Sequence, residues 1–378
     1  MTIFSTIRYA VVVTASGAAL SALGVIAASS QQMPPDGHAL FNANCATCHG
    51  ADGSGSARHN PAELGFDLPL PNFADCSFAS READADWSSI IHKGGPVRSF
   101  PRVMPAFGDA LNDDEIDAII GYIRTFCTDA RWVRGEFNFP RGLFTEKAFP
   151  EDEVVWSNAI NTSGPTAITS QITFEKRFGP KGQLELVLPF SVLDGGPGIG
   201  TQAGIGDFEV EWKQNLLANV DSGTIISLMG ASILPTGNKR RGLGSGSLAF
   251  ETHLLFAQTL PADFIFQGQV FAAFPLKSDL TQEVAWNLNI GKTFAEDEGW
   301  GRAWTPMLEI LGSREMASGA KTEWDLVPQL QVSLSRRQHI LFDAGARIPL
   351  TNASVRNTQF LFYFVWDWYD AGLFEGWR

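Results

Sequence analysis

The chain has 378 residues, four cysteines and a formal net charge of −13 at pH 7. That length accommodates two domains, and an acidic chain with no basic stripe repels a polyphosphate backbone, which excludes nucleic-acid binding. Composition changes near residue 135: helical punctuation precedes it, and from about residue 152 Gly, Phe and Trp fall into strand-like alternation.

Residues 9–28 (YAVVVTASGAALSALGVIAA) are apolar behind Arg8, with Ala27, Ala28 and Ser29 offering cleavage points. This predicts an export signal over 1–30. An uncleaved membrane anchor is the competing reading, although the small Ala, Gly and Ser residues dilute its hydrophobicity. Both readings put the remainder outside the cytoplasm.

A helical domain is expected over 36–130. Asp36 starts a helix whose apolar residues Leu40 and Ala43 lead into Cys45-Ala-Thr-Cys48-His49. Two thiols at that spacing can each form a thioether to a haem vinyl group while the adjacent imidazole reaches the iron, so one covalent haem c is expected. Met104, in Val-Met-Pro-Ala-Phe, is the candidate sixth ligand, with His92 as its rival. The carbonyl of Pro71 could fix the His49 ring. His38 and His59 read as solvated. Asn112 and Glu115 form an N-cap pair for a closing helix carrying Ile116, Ile119, Ile120 and Ile123. Cys76 and Cys127 either pair in an oxidising compartment or remain as buried thiols.

These features resemble the class I cytochrome c family over roughly residues 36–130, through Cys45–Gly50, Met104-Pro105-Ala106-Phe107 and Gly121-Tyr122-Ile123 in the closing helix. The resemblance implies His49 and Met104 as axial ligands, metal and cofactor residues alike with Cys45 and Cys48, and one-electron transfer as the activity. It also implies that Gly37 and Phe41 pack the first helix onto the last, against Tyr122. The Cys76/Cys127 pair lies outside the general family pattern.

A linker at 131–151, with Pro140 and Pro150, is expected to lead into a second domain at 152–370. There the period becomes two: Phe208, Val210, Trp212 and Leu216 share a face, as do Leu184, Leu186, Leu188 and Phe190, or Val284, Trp286, Leu288 and Ile290. The last segment places Phe360, Phe362, Phe364, Trp366 and Trp368 together. About twelve such segments, joined by connections that tend to alternate between short and long, predict an antiparallel transmembrane β-barrel. Ala295–Ala303 is an exception, long where a short turn is due. A soluble β-sandwich is the alternative, but it would hide those aromatics between two sheets.

The Gly204-Ile205-Gly206-Asp207 run resembles outer-membrane barrels of the MetA-pathway phenol-degradation family, which implies a channel or transporter over most of residues 145–370. If the apolar faces meet lipid, the lumen carries Glu175, Glu185, Asp207, Glu209, Glu211, Glu251, Glu283, Glu309, Glu323, Asp325, Asp343 and Asp367 against Arg177, Lys213 and Arg347. Such a lumen concentrates cations, unless the carboxylates pair, take up protons or lie at the wet rims. One haem cannot cross an apolar band about 25 Å tall, and a ring this narrow cannot swallow a folded domain. The helical domain is therefore expected beneath the periplasmic mouth of an outer-membrane barrel, an arrangement that resembles the fused cytochrome–porins that oxidise ferrous iron. The expected activity is electron transfer to periplasmic carriers from a cationic or small reduced donor entering the pore, an electron carrier more than a turnover enzyme. The alternative is a transporter of small aromatic solutes with the haem domain as sensor or docking module.

Overall fold

Among the described residues, four helices accompany the closing one. The computed structural model describes residues 34–55, 70–196, 198–295 and 303–367; the expected export signal, His59 and the tail from Trp368 lie outside the described residues. The helices are α1 (Gly37–Asn44), α2 (Ala46–His49), α3 (Cys76–Ala79), α4 (Asp84–Lys93) and α5 (Asp113–Arg124). Asp36 caps α1 by accepting from the Ala39 N–H at 3.2 Å. Asn112 and Glu115 cap α5 reciprocally, at 3.0 and 2.9 Å, an arrangement worth about 1 kcal/mol. The expected isoleucine stripe of α5 is buried, together with Phe41 of α1 and Trp87 of α4.

The α1–α5 crossing stands as the family resemblance implied. Phe41 is wholly buried with its ring 5.4 Å from that of Tyr122, and a Cβ on Gly37 would collide with the Ala118 carbonyl. Cys76 and Cys127 form a disulfide, tying α3 to the chain just past α5.

The second domain is a closed antiparallel barrel. Its strands are β1 (Glu153–Asn161), β2 (Ala167–Phe178), β3 (Gly182–Asp194), β4 (Thr201–Ile205), β5 (Phe208–Asn219), β6 (Thr224–Leu234), β7 (Ala249–Thr259), β8 (Phe264–Pro275), β9 (Glu283–Lys292), β10 (Trp304–Glu315), β11 (Glu323–Ser333), β12 (Ile340–Pro349) and β13 (Gln359–Asp367). Apart from β4, which pairs with β3 alone, each strand pairs on both sides, and β1 meets β13, Glu153 opposite Asp367, which closes the ring. The segment expected as one strand from Gly204 is broken at Gly206-Asp207. β4 pairs with Phe190–Asp194 of β3 and β5 with Gly182–Val187, and together they fill one place in a ring of 12 strands. Pro189, lacking an N–H, sits at the break and accepts from the Gly206 N–H at 2.8 Å.

Burial is inverted relative to a soluble protein. Trp156 is 45% exposed and Trp212 46%, whereas Glu175, Lys213, Glu309 and Asp343 are 0% exposed. An apolar exterior around a charged interior is what lipid demands and what a sandwich cannot offer. Short connections at 179–181, 220–223, 260–263 and 334–339 share one mouth, at which β1 also begins. The β9–β10 connection belongs to that mouth too; it is long, as expected, and Phe294 and Trp304 bridge its base.

Gly37→Ala should force α1 off α5 at a cost of about 1–3 kcal/mol. A thermal melt followed by circular dichroism would then show a lower midpoint for the helical domain, and an unmoved midpoint would refute the close crossing.

Candidate functional site

Cys45 caps α1, donating its N–H to the Phe41 carbonyl at 2.8 Å, and leads directly into the single turn of α2. His49 therefore ends that turn, and Gly50, at φ 79°, takes the chain away from it. Cys45 and Cys48 are both free and half-buried. The His49 ring lies 5.4 Å from Phe73. Its Nδ1 is buried and finds no hydrogen-bond partner among the described residues. Burial pushes its pKa down to about 4, so the imidazole is neutral, the form that binds iron.

Met104 is brought to the same core as Cys45 by a cinched loop. Gly95 donates to the Met104 carbonyl at 3.0 Å, and the N–H groups of Phe107 and Gly108 reach the carbonyls of Ile91 and His92 at 2.8 and 3.1 Å. Gly94, at φ 78°, and Gly95 have no side chain to obstruct it; a Cβ on Gly95 would meet the Pro101 carbonyl at 2.5 Å. His92 instead turns to Asp113 at the start of α5, 3.2 Å away. The proposed role of Pro71 is not realised: its carbonyl does not accept from His49 and borders Gly55. His38 is exposed, with Asn42 2.8 Å from its Nε2.

The helical domain and barrel belong to one compact unit beginning at Pro35, and they meet at the short-turn mouth. Arg81 pairs with Asp152 at 3.2 Å. Arg134 pairs with Asp84 at 2.7 Å, and Asp84 also holds Arg124 at 2.7 Å. Arg337, in the β11–β12 turn, lies over the Phe100 ring at 4.5 Å.

The stretch expected only to link the domains enters the barrel. Phe137 and Phe139 pack at the mouth against Ile225 and Leu255. The chain then runs inward to Leu143 and Phe144, which touch a cluster of Leu311, Val327 and Leu361. It returns through Phe149 to the mouth, where β1 starts. This finger has no strand to pair with, so wall side chains satisfy its backbone. Glu309 of β10 accepts from the N–H groups of Phe144, at 3.2 Å, and Thr145, at 2.7 Å. Gln269 and Asn287 donate to the Phe144 carbonyl. Gln329 accepts from Leu143 N–H. Tyr363 donates to the Arg141 carbonyl at 2.6 Å.

The acidic lumen is real but is answered by cations from the finger and the wall. Arg141 reaches Glu146, Glu153 and Glu175 at 2.8, 3.0 and 2.6 Å. Lys147 holds Glu151 at 2.5 Å, and Lys213 holds Glu185 at 2.9 Å. Nearer the far mouth, Arg347 and Arg356 share Asp325 at 2.7 and 2.6 Å. Asp207 must be removed from the lumen-lining set: at the Gly206 break it accepts from Gly237 N–H at 2.9 Å and Ser245 N–H at 2.7 Å, clamping the long β6–β7 loop.

The amides Gln267, Gln269, Asn287, Asn289, Gln329 and Gln331 escaped the sequence reading, which weighed charges alone. Their signal is plain in retrospect: Gln-Gly-Gln, Asn-Leu-Asn and Gln-Leu-Gln put paired carboxamides on the inward face of three strands.

The sequence profile of the family described as cytochrome c oxidase, cbb3-type, subunit III matches residues 32–123. The N-terminal domain is thus of cytochrome c type, which implies haem binding. No curated protein matches the chain. Among solved structures, the chain is similar to the KdgM porin in complex with disordered oligogalacturonate, at 11% identity and TM-score 0.36, over 57% of this chain and 98% of that one. It is also similar to the NanC porin, at 8% and 0.39 over 57% and 98%. The third is the β domain of the Bordetella autotransporter BrkA, at 12% and 0.36 over 57% and 97%. The ring is established by its own closed ladder rather than by these likenesses.

The disulfide closes a loop of 51 residues, worth up to about 4 kcal/mol through the unfolded state. Replacing Cys76 and Cys127 by Ser should lower the denaturant midpoint of the helical domain. An unchanged midpoint would show that the bond contributes nothing.

Proposed function

We propose that the protein is an electron carrier: one haem c, attached through Cys45 and Cys48 and ligated by His49 and Met104, held against the periplasmic mouth of an outer-membrane barrel. The observation that carries this reading is the conjunction at one core of two free thiols, a neutral imidazole with an unpartnered buried nitrogen, and the Met104 loop. These residues fit a haem. When bound, it supplies a ferric/ferrous couple. The chain's own residues place the thiols, present the thioether and exclude water with Phe41, Phe73 and Trp87.

The apolar exterior supports the outer-membrane placement, since β-barrels span that membrane. With much of its buried acid paired to Arg141, Lys147 and Lys213, the lumen does not itself select the donor; a cationic or small reduced donor such as ferrous iron, with periplasmic carriers as acceptors, follows from the resemblance to fused cytochrome–porins. The arrangement is akin to fused cytochrome–porins. The Gly204–Asp207 corner supports kinship with the phenol-degradation barrels.

A reduced-minus-oxidised spectrum of outer-membrane fractions should show a c-type haem that ferrous iron reduces. Solute uptake that survives loss of Cys45 and Cys48, with no such reduction, would favour a transporter instead. Met104→Ala should lower the midpoint potential by on the order of 100 mV and open the iron to external ligands. An unchanged spectrum and potential would transfer the sixth position to His92.

A further inference from the structure

The finger lies across the lumen. It is bonded to β1 and β2 through Arg141, to β6 where Ser227 donates to the Ala148 carbonyl at 2.5 Å, and to β10 through Glu309, so it touches opposite sides of the ring. The Glu309 and Lys213 side chains project into what would be water in an open channel, yet both are 0% exposed. Both legs leave by the same mouth, so the finger can retreat without unthreading.

One residue of the helical domain touches both legs. The Arg81 carbonyl would lie 2.2 Å from a Cβ on Gly135, and its guanidinium pairs at 3.2 Å with Asp152, 1% exposed, which the Arg177 N–H of β2 also holds. Between apolar contacts at the mouth and at its tip, the finger is held by hydrogen bonds and ion pairs to polar wall residues, and water can replace these when the finger leaves. The geometry points to a gate: the finger shuts the barrel while the helical domain is docked, and withdraws with that domain to admit small ions. This rests on the reading of the barrel as a membrane channel but not on the haem ligands. Spectra report on electron transfer and conductance on the gate, so the two can fail separately.

The test is planar-bilayer conductance in potassium chloride with the full-length, haem-loaded protein. Wild type should open rarely. Truncating the tip with Leu143→Ala plus Phe144→Ala, or removing its acceptor with Glu309→Ala, should raise open probability at least tenfold. Arg81→Ala, outside the lumen, should do the same. Migration on unheated gels verifies that each barrel is folded, and the tip variant leaves the wall intact if Glu309→Ala misfolds. A steadily open wild type, or folded tip variants that stay shut, overturns the gate. Open tip variants with Arg81→Ala at the wild-type level overturn its control by the helical domain.

Discussion

Irregular backbone inside a closed cylinder has no strand edge to pair with, and each of its N–H and C=O groups needs a partner from the wall. The rest of the lumen follows from that constraint. Glu309, 0% exposed, is tolerable as a buried carboxylate because it accepts from two finger N–H groups and from the Gln329 amide. Gln267, Gln269, Asn287, Gln329 and Gln331 of β8, β9 and β11 do for the finger what a neighbouring strand does elsewhere. Pro140 and Pro150 reduce the demand, since each brings no N–H.

Charge obeys the same logic. Glu153, Glu175 and Glu185, buried without counter-charges, would repel one another inside a low-dielectric shell. Arg141 and Lys147, arriving on the finger, and Lys213, on the wall, supply the opposite sign. A lumen read as a plain cation attractor is thus in large part a socket for two basic residues of the same chain. The helical domain, the finger and the barrel are joined by the ion pairs at Arg81, Asp84, Arg124 and Arg134 into one continuous polar seam.

Much of this was legible in advance. The spacing of Cys45, Cys48 and His49, the Asn112/Glu115 cap and the alternating aromatics of β13 are local patterns, and each stands where its period put it. The parity of short and long connections located the helical domain's mouth. The finger was not legible, because Pro140, Pro150 and the absence of periodicity describe a solvated linker and an irregular buried segment equally well. What separates them is the complementary lining on strands more than a hundred residues away, and no local window contains both. Asp207 misled for a related reason: alternation put it on the inward face, but Pro189 and Gly206 break the ladder there and free its carboxylate for the β6–β7 loop.

The Tyr363–Arg141 bond joins residues 222 positions apart, and the Glu309 and Gln329 bonds to the finger are nearly as long-range. Such contacts repay their loop-closure entropy only after the intervening strands are in register. The cylinder must therefore be nearly complete, with β13 zipped to β1, before the finger finds its seat. During biogenesis the hollow exists first and is filled last.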